Sequence, residues 1–529
     1  MMHLHRAVSL LALFSAPLAA TTVSFAPSKS HAENNAHSIF NSIHSAGRQW
    51  GSSINHNGFA LVPGTIPRGS LFFHAAATPT WLSVGPARLD FEPEAAEAFA
   101  AEWFGGCRSP GDEEAFPKDR PKGPGFIHTY RNRRNLKVLL ADGLSAAQTD
   151  YGTLDTQDAL LLENRTLAND ACEADRHRAQ ALCDVVGPWG YDGVIRAGLG
   201  FELLLCNVTG TIWQMKVKRA LSNAQRLGDG ALRMAQWVRA AAQRYDGLGS
   251  RLKLDFSSMV TGLWYPVNTT NPDPLHPEMK RLAATPLTHL RTIKERAEAI
   301  ARAEFQTFLI DWQYIVDNIV SRFAERLAAM ADPNIDDAEF VDELETAALT
   351  YIDATAFQNG DQVLETSIKD CTDHYLYPAL PFSNHWNEAD HMLYHAVITV
   401  LSDVCGILIR GWYDLASSSS SAHIGISAQQ RAALDKSKAQ VRELTTRLAW
   451  TTWRKTRACA VNQVDMVAMW PYGDLKDHKY PGCRARDHLK ANRTGYWGGS
   501  ALSESRPALS TWLLQTQSSL ACGTVTSGE

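Results

Sequence analysis

Hydrophobic periodicity divides the chain at about residue 210. Before that point, short apolar runs bounded by Gly, Pro and polar residues read as strands: Ser70 to His74, the start of Leu89 to Ala100, Phe126 to Tyr130 and Leu136 to Ala141. Helical spacing intervenes at Ser38 to Trp50, with Ile39, Ile43 and Ala46 on one side, and again at Cys172 to Val186. Pro93 marks the first turn of an Ala/Glu-rich helix. The segment GSSINHNGFALVPGTIPRG (51–69) reads as turns, Cys107 to Gly125 as an exposed loop, and Gly152 to Leu162 as a turn into a strand or short helix. The clearest pattern is GYDGVIRAGLGFELLLC (190–206): a strand at Gly193 to Arg196, a Gly-rich turn, then a strand from Phe201 to Asn207 that is apolar on both faces. Period two puts Phe201, Leu203 and Leu205 on one side and Glu202, Leu204 and Cys206 on the other.

Beyond Thr211 the pattern turns helical. Trp213 to Tyr245 reads as helix, and Tyr265 to Pro277 as a Pro/Asn linker. The strongest helical period runs through Phe305, Leu309, Trp312, Val316, Ile319, Phe323 and Leu327 and stops at Asp332-Pro333. Asp336 with Glu339, and Ser427 with Gln430, have capping-box spacing at the starts of later helices. Met392 to Trp412 reads as a buried helix and the five serines 417–421 as a loop. The expected class is α+β. A mixed α/β head spans 38–209, a helical domain 211–457, and an irregular, disulfide-stapled segment 458–529.

Composition and charge then narrow the setting. A net charge of -5 supplies no basic field for nucleic acid. A weakly basic start, an apolar run from Ala7 to Leu13 and small residues to Ala20 read as a secretory signal, residues 1–20, with later cleavage open as far as residue 32. The expectation is a secreted protein without a membrane span, since Met392 to Trp412 carries His395, Asp403 and Arg410. Nine cysteines suit an oxidising compartment; Cys459 and Cys483 are a plausible bridge, whereas a helix between Cys172 and Cys183 would hold those two too far apart. Sequons stand at Asn164, Asn207, Asn268 and Asn492 and permit N-glycans.

The candidate chemistry centres on Glu202. A carboxylate in an apolar strand either meets a basic partner, with Arg196 the nearest in sequence, or faces an open cleft where its charge is used. Taken together, LFFHA with His74, LDFEPEAAEAFA and GYDGVIRAGLGFELLLC resemble the ADP-ribosyltransferase fold. That resemblance implies NAD as substrate, cleaved to nicotinamide by transfer or hydrolysis. It implies His74 on a ribose hydroxyl, Trp81 or Phe91 stacked near the nicotinamide, and Glu202 on the nicotinamide ribose. A fixed carboxylate there would stabilise an oxocarbenium-like transition state. The alternative is a non-catalytic secreted binding or structural protein.

Other clusters compete. His391 and His395 share one helical face, but Met392 stands where a zinc-protease motif has Glu, so no metal site is assigned. Asp311 and Asp317 lie off the apolar stripe and read as a solvated or interhelical polar face. Asp474, Asp477, His478, Asp487 and His488 gather around the expected bridge, where they line a pocket or simply decorate a stapled loop. More broadly, HSIFNSIHSAGRQWGSSINHNG, GTLDTQD, DWQYIVDNIVSRFAERL and MWPYG resemble a family of secreted fungal proteins with no assigned activity. That resemblance implies an α/β head on a helical body and no particular reaction.

Overall fold

A computed structural model describes residues 25–82, 85–101, 124–147, 149, 151–164, 171–222, 225, 230–303, 310–357, 362–418, 427–456, 458–486, 489 and 496–497. The expected signal segment, the 107–125 loop up to residue 123 and most of the serine run lie outside them, as does Asn492. Ten strands form one sheet: β1 (Asn57–Ile66), β2 (Leu71–Ala76), β3 (Ala87–Asp90), β4 (Phe126–Asn132), β5 (Leu136–Gly143), β6 (Gly193–Gly198), β7 (Gly200–Leu205), β8 (Ile212–Arg219), β9 (Lys253–Leu254) and β10 (Val260–Thr261). Their order is β10-β1-β5-β6-β7-β3-β2-β4-β8, with β9 also on β1. Among the described strands only β5 and β6 pair in parallel. A parallel pair needs a long crossover, which the π-helical turn Thr156–Leu161 and the helix Ala171–Val186 supply.

Two segments depart from the sequence reading. The stretch read as turns contains β1, the ten-residue strand that joins β5 to β9 and β10. Its turn-like residues have positional reasons. A Cβ on Gly58 would sit 2.0 Å from the Asp142 carbonyl oxygen, so glycine permits the close approach of β5. Pro63 falls between the β10 and β9 pairings. Asp255 N–H donates to its carbonyl at 2.8 Å, so its missing N–H falls on that broken edge and not on the β5 side. The second departure is β8, expected as helix. Ile212–Arg219 alternates, with Trp213 under the guanidiniums of Arg131 and Arg133, while Lys216, Lys218 and Arg219 charge the edge strand. The next helix among the described residues is Gly230–Arg239. The sheet therefore continues to Thr261, past the head boundary expected at 209.

The helical layer contains Leu287–Arg302, Trp312–Ala331, Asp337–Ala348, Gln362–Leu376, Glu388–Ser418 and Ala428–Leu448. Ser427 with Gln430 makes the expected capping box; Asp336 starts its helix as expected but caps it through Ala338 N–H and not through a box with Glu339. The helix Ala36–Ser45, which precedes β1 in the chain, belongs to this layer. Phe40 stacks on Trp450 at 5.7 Å, and Arg48 makes two bonds to Asp317 of 2.8 and 2.6 Å. Asp317 is thus an interhelical ion-pair residue. Asp390 accepts from Trp312 Nε1 at 2.9 Å and from Ser257 Oγ at 2.6 Å, tying helices to the segment between β9 and β10. Among the described residues one helix, Glu388–Ser418, is long and apolar enough to cross a membrane; half of its most apolar window is buried within the protein.

Three disulfides form among the described residues. Cys459–Cys483 is the bridge expected in the stapled segment, where β11 (Gln463–Met466) pairs with β12 (Gly482–Ala485). Cys371–Cys405 joins two helices, and Cys183–Cys206 ties the crossover helix to the end of β7.

Candidate functional site

The β6–β7 hairpin positions Glu202. Its turn, Gly198-Leu199-Gly200, is held from outside: Gln49 donates to the Gly198 carbonyl at 2.7 Å and accepts from Gly200 N–H at 2.8 Å. Gly200 adopts φ +90°, and a Cβ there would lie 2.7 Å from Glu92 Oε2. Only glycine suits that position, two residues before Glu202.

Register then brings charges onto one face of the sheet. Arg196 lies opposite Glu202 across β6–β7, and Asp90 lies opposite it across β3–β7, with Arg88 two residues earlier on the same face. Arg196 Nε donates to Glu202 Oε1 at 2.7 Å, and Arg88 Nε donates to Oε2 at 2.8 Å. The crossover helix lays Asp175 and Arg178 over this pair. Asp175 accepts from Arg88 at 2.9 Å and from Arg178 and Arg196 at 3.4 Å, while Arg178 forks onto Asp158 at 2.7 and 2.9 Å. Gln157 accepts from Arg196 at 3.2 Å. Burial pushes the Asp175 carboxyl up, but Arg196, Arg88 and Arg178 outweigh it and hold the pKa below the usual value. Burial opposes the charge on Arg88 too, and Glu202 and Asp175 override it to raise that pKa. Glu202 is 5% exposed and Arg196 0%. The arrangement is a closed lattice of three guanidiniums and three carboxylates, flanked by Asp90.

The other residues singled out in the sequence lie across the sheet. Phe73 is the register partner of Asp90, so His74 projects to the face opposite Glu202. His74 is 0% exposed; its Nδ1–H donates to the Arg88 carbonyl at 2.9 Å and its Nε2 has no partner among the described residues. Burial, then His128, lowers its pKa to about 4. Trp81 is half-buried, 5.5 Å from the His128 ring and 5.8 Å from Tyr130. Phe91 is buried, edge-on to Phe72 at 5.2 Å and beneath the Arg251 guanidinium at 5.4 Å. His74, Phe91 and Trp81 therefore share a face that does not carry Glu202, and His74 and Glu202 share no open cleft. The sequence reading found Arg196 as a partner but not Arg88, Asp175 or Arg178.

The lesser clusters are placed as follows. His391 packs edge-on to Trp386 at 5.4 Å, and His395 lies 3.8 Å from Glu33. Asp311 caps the helix Trp312–Ala331 through Tyr314 N–H. Asp474 and Asp477 form a capping box on Leu475–Lys479, and Asp477 accepts from Arg484 at 2.9 Å. Asp487 and His488 lie outside the described residues.

Comparison with known proteins finds two similar yeast sequences and one matching family. No solved structure matches the chain. The uncharacterized protein YOR389W of Saccharomyces cerevisiae is 34% identical over 202 residues, 33% of this chain and 32% of its own length. The uncharacterized protein YPL277C of the same yeast is 26% identical over 372 residues, 56% of this chain and 75% of its own. Residues 29–100 and 101–229 match the family described as the YPL277C N-terminal domain, a span that takes in β1 to β8 and the whole charge lattice.

Proposed function

We propose that this is a secreted, non-catalytic binding protein whose head uses Glu202 as a structural counter-ion. The observation that carries the reading is the closure of the Glu202 carboxylate: Arg196 occupies one oxygen and Arg88 the other, at 5% exposure. A carboxylate that stabilises an oxocarbenium-like centre must reach the reacting sugar. Here that would require breaking two charge-assisted bonds in a buried site. The position of His74 on the opposite face supports the same reading, because the ribose contacts implied by an NAD-cleaving fold need both side chains at one ligand. The test is incubation of the purified full chain with NAD while nicotinamide is followed by chromatography. No release above the protein-free control is expected. Release that disappears in a folded Glu202→Gln variant would overturn the proposal and favour NAD cleavage.

A further inference from the structure

The sheet ends at β8, whose strand partner among the described residues is β4 alone. The main-chain N–H and C=O groups on its outer side therefore meet no described strand, which leaves a template for one more. The charge along this edge has a single sign. Residues 125–141 and 203–228 contain no Asp or Glu, in a chain where acids outnumber bases by 56 to 51. Arg131, Arg133, Lys216 and Lys218 have no carboxylate within ion-pair reach among the described residues. Arg134, next in sequence, forks instead onto Asp192 at 2.7 and 2.6 Å.

A bulge gathers these cations. Tyr130 pairs with Gln214 but Thr129 pairs with Lys216, so Met215 is an extra residue in β8. Without it, period two would put Met215, Val217 and Arg219 on the Trp213 side. With it, Lys216 and Lys218 fall there, opposite Thr129 and Ile127 and on the face that carries Arg131. Arg131 and Arg133 lean onto the Trp213 ring, Cζ 4.7 and 5.4 Å from its centroid, which brings both guanidiniums from the end of β4 over to β8. Lys216, Lys218 and Arg133 are exposed. Lys216 and Lys218 stand about 6.8 Å apart, the same-face repeat of any extended chain laid beside them. Like charges opposed across a strand pair repel, so this edge rejects a strand that sets Lys or Arg on this face and accepts one that sets Asp or Glu there. We infer that the outer edge of β8 binds an extended acidic segment of a partner protein, added as a further strand. Its alternate carboxylates would lie against Lys216, Lys218 and the two guanidiniums on Trp213. Backbone hydrogen bonds to the edge are open to any strand, and the charges choose which strand. A polyanion held by charge alone would use the cations and leave the open main chain unused.

The surface gives the proposed binding role a class of partner, and its test is separate from the NAD assay, which reads Glu202. Fluorescence polarisation of the full chain at low ionic strength would use a labelled, end-capped peptide of alternating Glu and Thr, as long as the eight residues of β8. The comparators are its isomer with all Glu at one end, its form N-methylated on every residue, and a sulfated oligosaccharide of equal charge. The alternating peptide is expected to bind at least about tenfold more tightly than each, a margin that a few exposed ion pairs or backbone hydrogen bonds supply. Lys216→Glu with Lys218→Glu should weaken the acidic peptide by about tenfold or more and bring in binding of the alternating Lys and Thr peptide. Circular dichroism separates lost binding from lost folding in that variant, and the wild-type peptide series does not depend on it. No saturable binding, equal affinity for the block isomer or the N-methylated form, or unchanged binding in the folded double variant would overturn the inference. A sulfated oligosaccharide that binds as tightly as the peptide would overturn it too and mark the face as a glycan site.

Discussion

Replacing Glu202 by Gln tests whether the lattice holds the head together. The substitution keeps the shape and removes the charge. Gln can offer its oxygen to Arg196 or to Arg88, and its amide group then faces the other guanidinium donor to donor. Arg88 retains Asp175 at 2.9 Å, but Arg196 is left with Asp175 at a long 3.4 Å and the neutral Gln157 at 3.2 Å. Arg196 is fully buried, so water cannot take the place of the lost carboxylate. One charge-assisted bond contributes about 1.5–3 kcal/mol, and stranding a buried charge brings the expected loss to about 3–5 kcal/mol. The assay is urea unfolding followed by tryptophan fluorescence. A double-mutant cycle with Arg196→Met sharpens it: the double variant should lose less than the two singles combined, by about 1–3 kcal/mol. A Glu202→Gln variant within about 1 kcal/mol of wild type would show that the lattice does not stabilise the head, and the structural role of Glu202 would fall with it.

Two further outcomes follow from neighbouring features. Cys183–Cys206 closes a loop of 23 residues between the helix carrying Asp175 and the strand carrying Glu202, so Cys183→Ser with Cys206→Ser should cost about 3 kcal/mol in the same unfolding assay; an unchanged urea midpoint would contradict this. Glu92 is 0% exposed, and burial raises its pKa to about 7 despite Arg251 and Phe201 N–H. The folded chain therefore keeps a proton that the unfolded chain releases near 4.5, and stability that is full below that pH is lost as pH rises to about 7, by about 3 kcal/mol in all. Glu92→Gln should remove this dependence, so the stability difference between variant and wild type should grow from about pH 5 to about pH 7 and then level off; a difference flat with pH would refute the assignment.

The strands that pattern well, β4, β5 and β7, were legible because their apolar runs sit between clear breakers. β1 was not, because Gly58, Pro63 and Gly64 have the composition of turns while serving a close strand approach and a broken edge. Those reasons belong to the partners, β5, β9 and β10, and no local window contains them. β8 was misread because Lys216, Lys218 and Arg219 suit a helix surface as well as an edge strand. Mixed α+β character with a large sheet was readable, and its end at Thr261 was not.

The site shows the same division between local and distant information. Arg196 could be matched to Glu202 because a two-stranded hairpin fixes their register within seven residues. Arg88 could not, since its approach depends on β3 pairing with β7, which sets it on a carboxylate 114 residues away in sequence. One signal was present: Arg88 and Asp90 alternate with Ala87 and Leu89, so a four-residue strand already declared a charged face. Given that β3 lies on β7, the charged face of one strand must meet the only charge on the other, because the alternative register would set Leu89 against Glu202. The same parity sends His74 away from Glu202. A carboxylate and a histidine that suit one site by residue type are thus separated by a single step of strand register, and the geometry that closes the lattice also parts them.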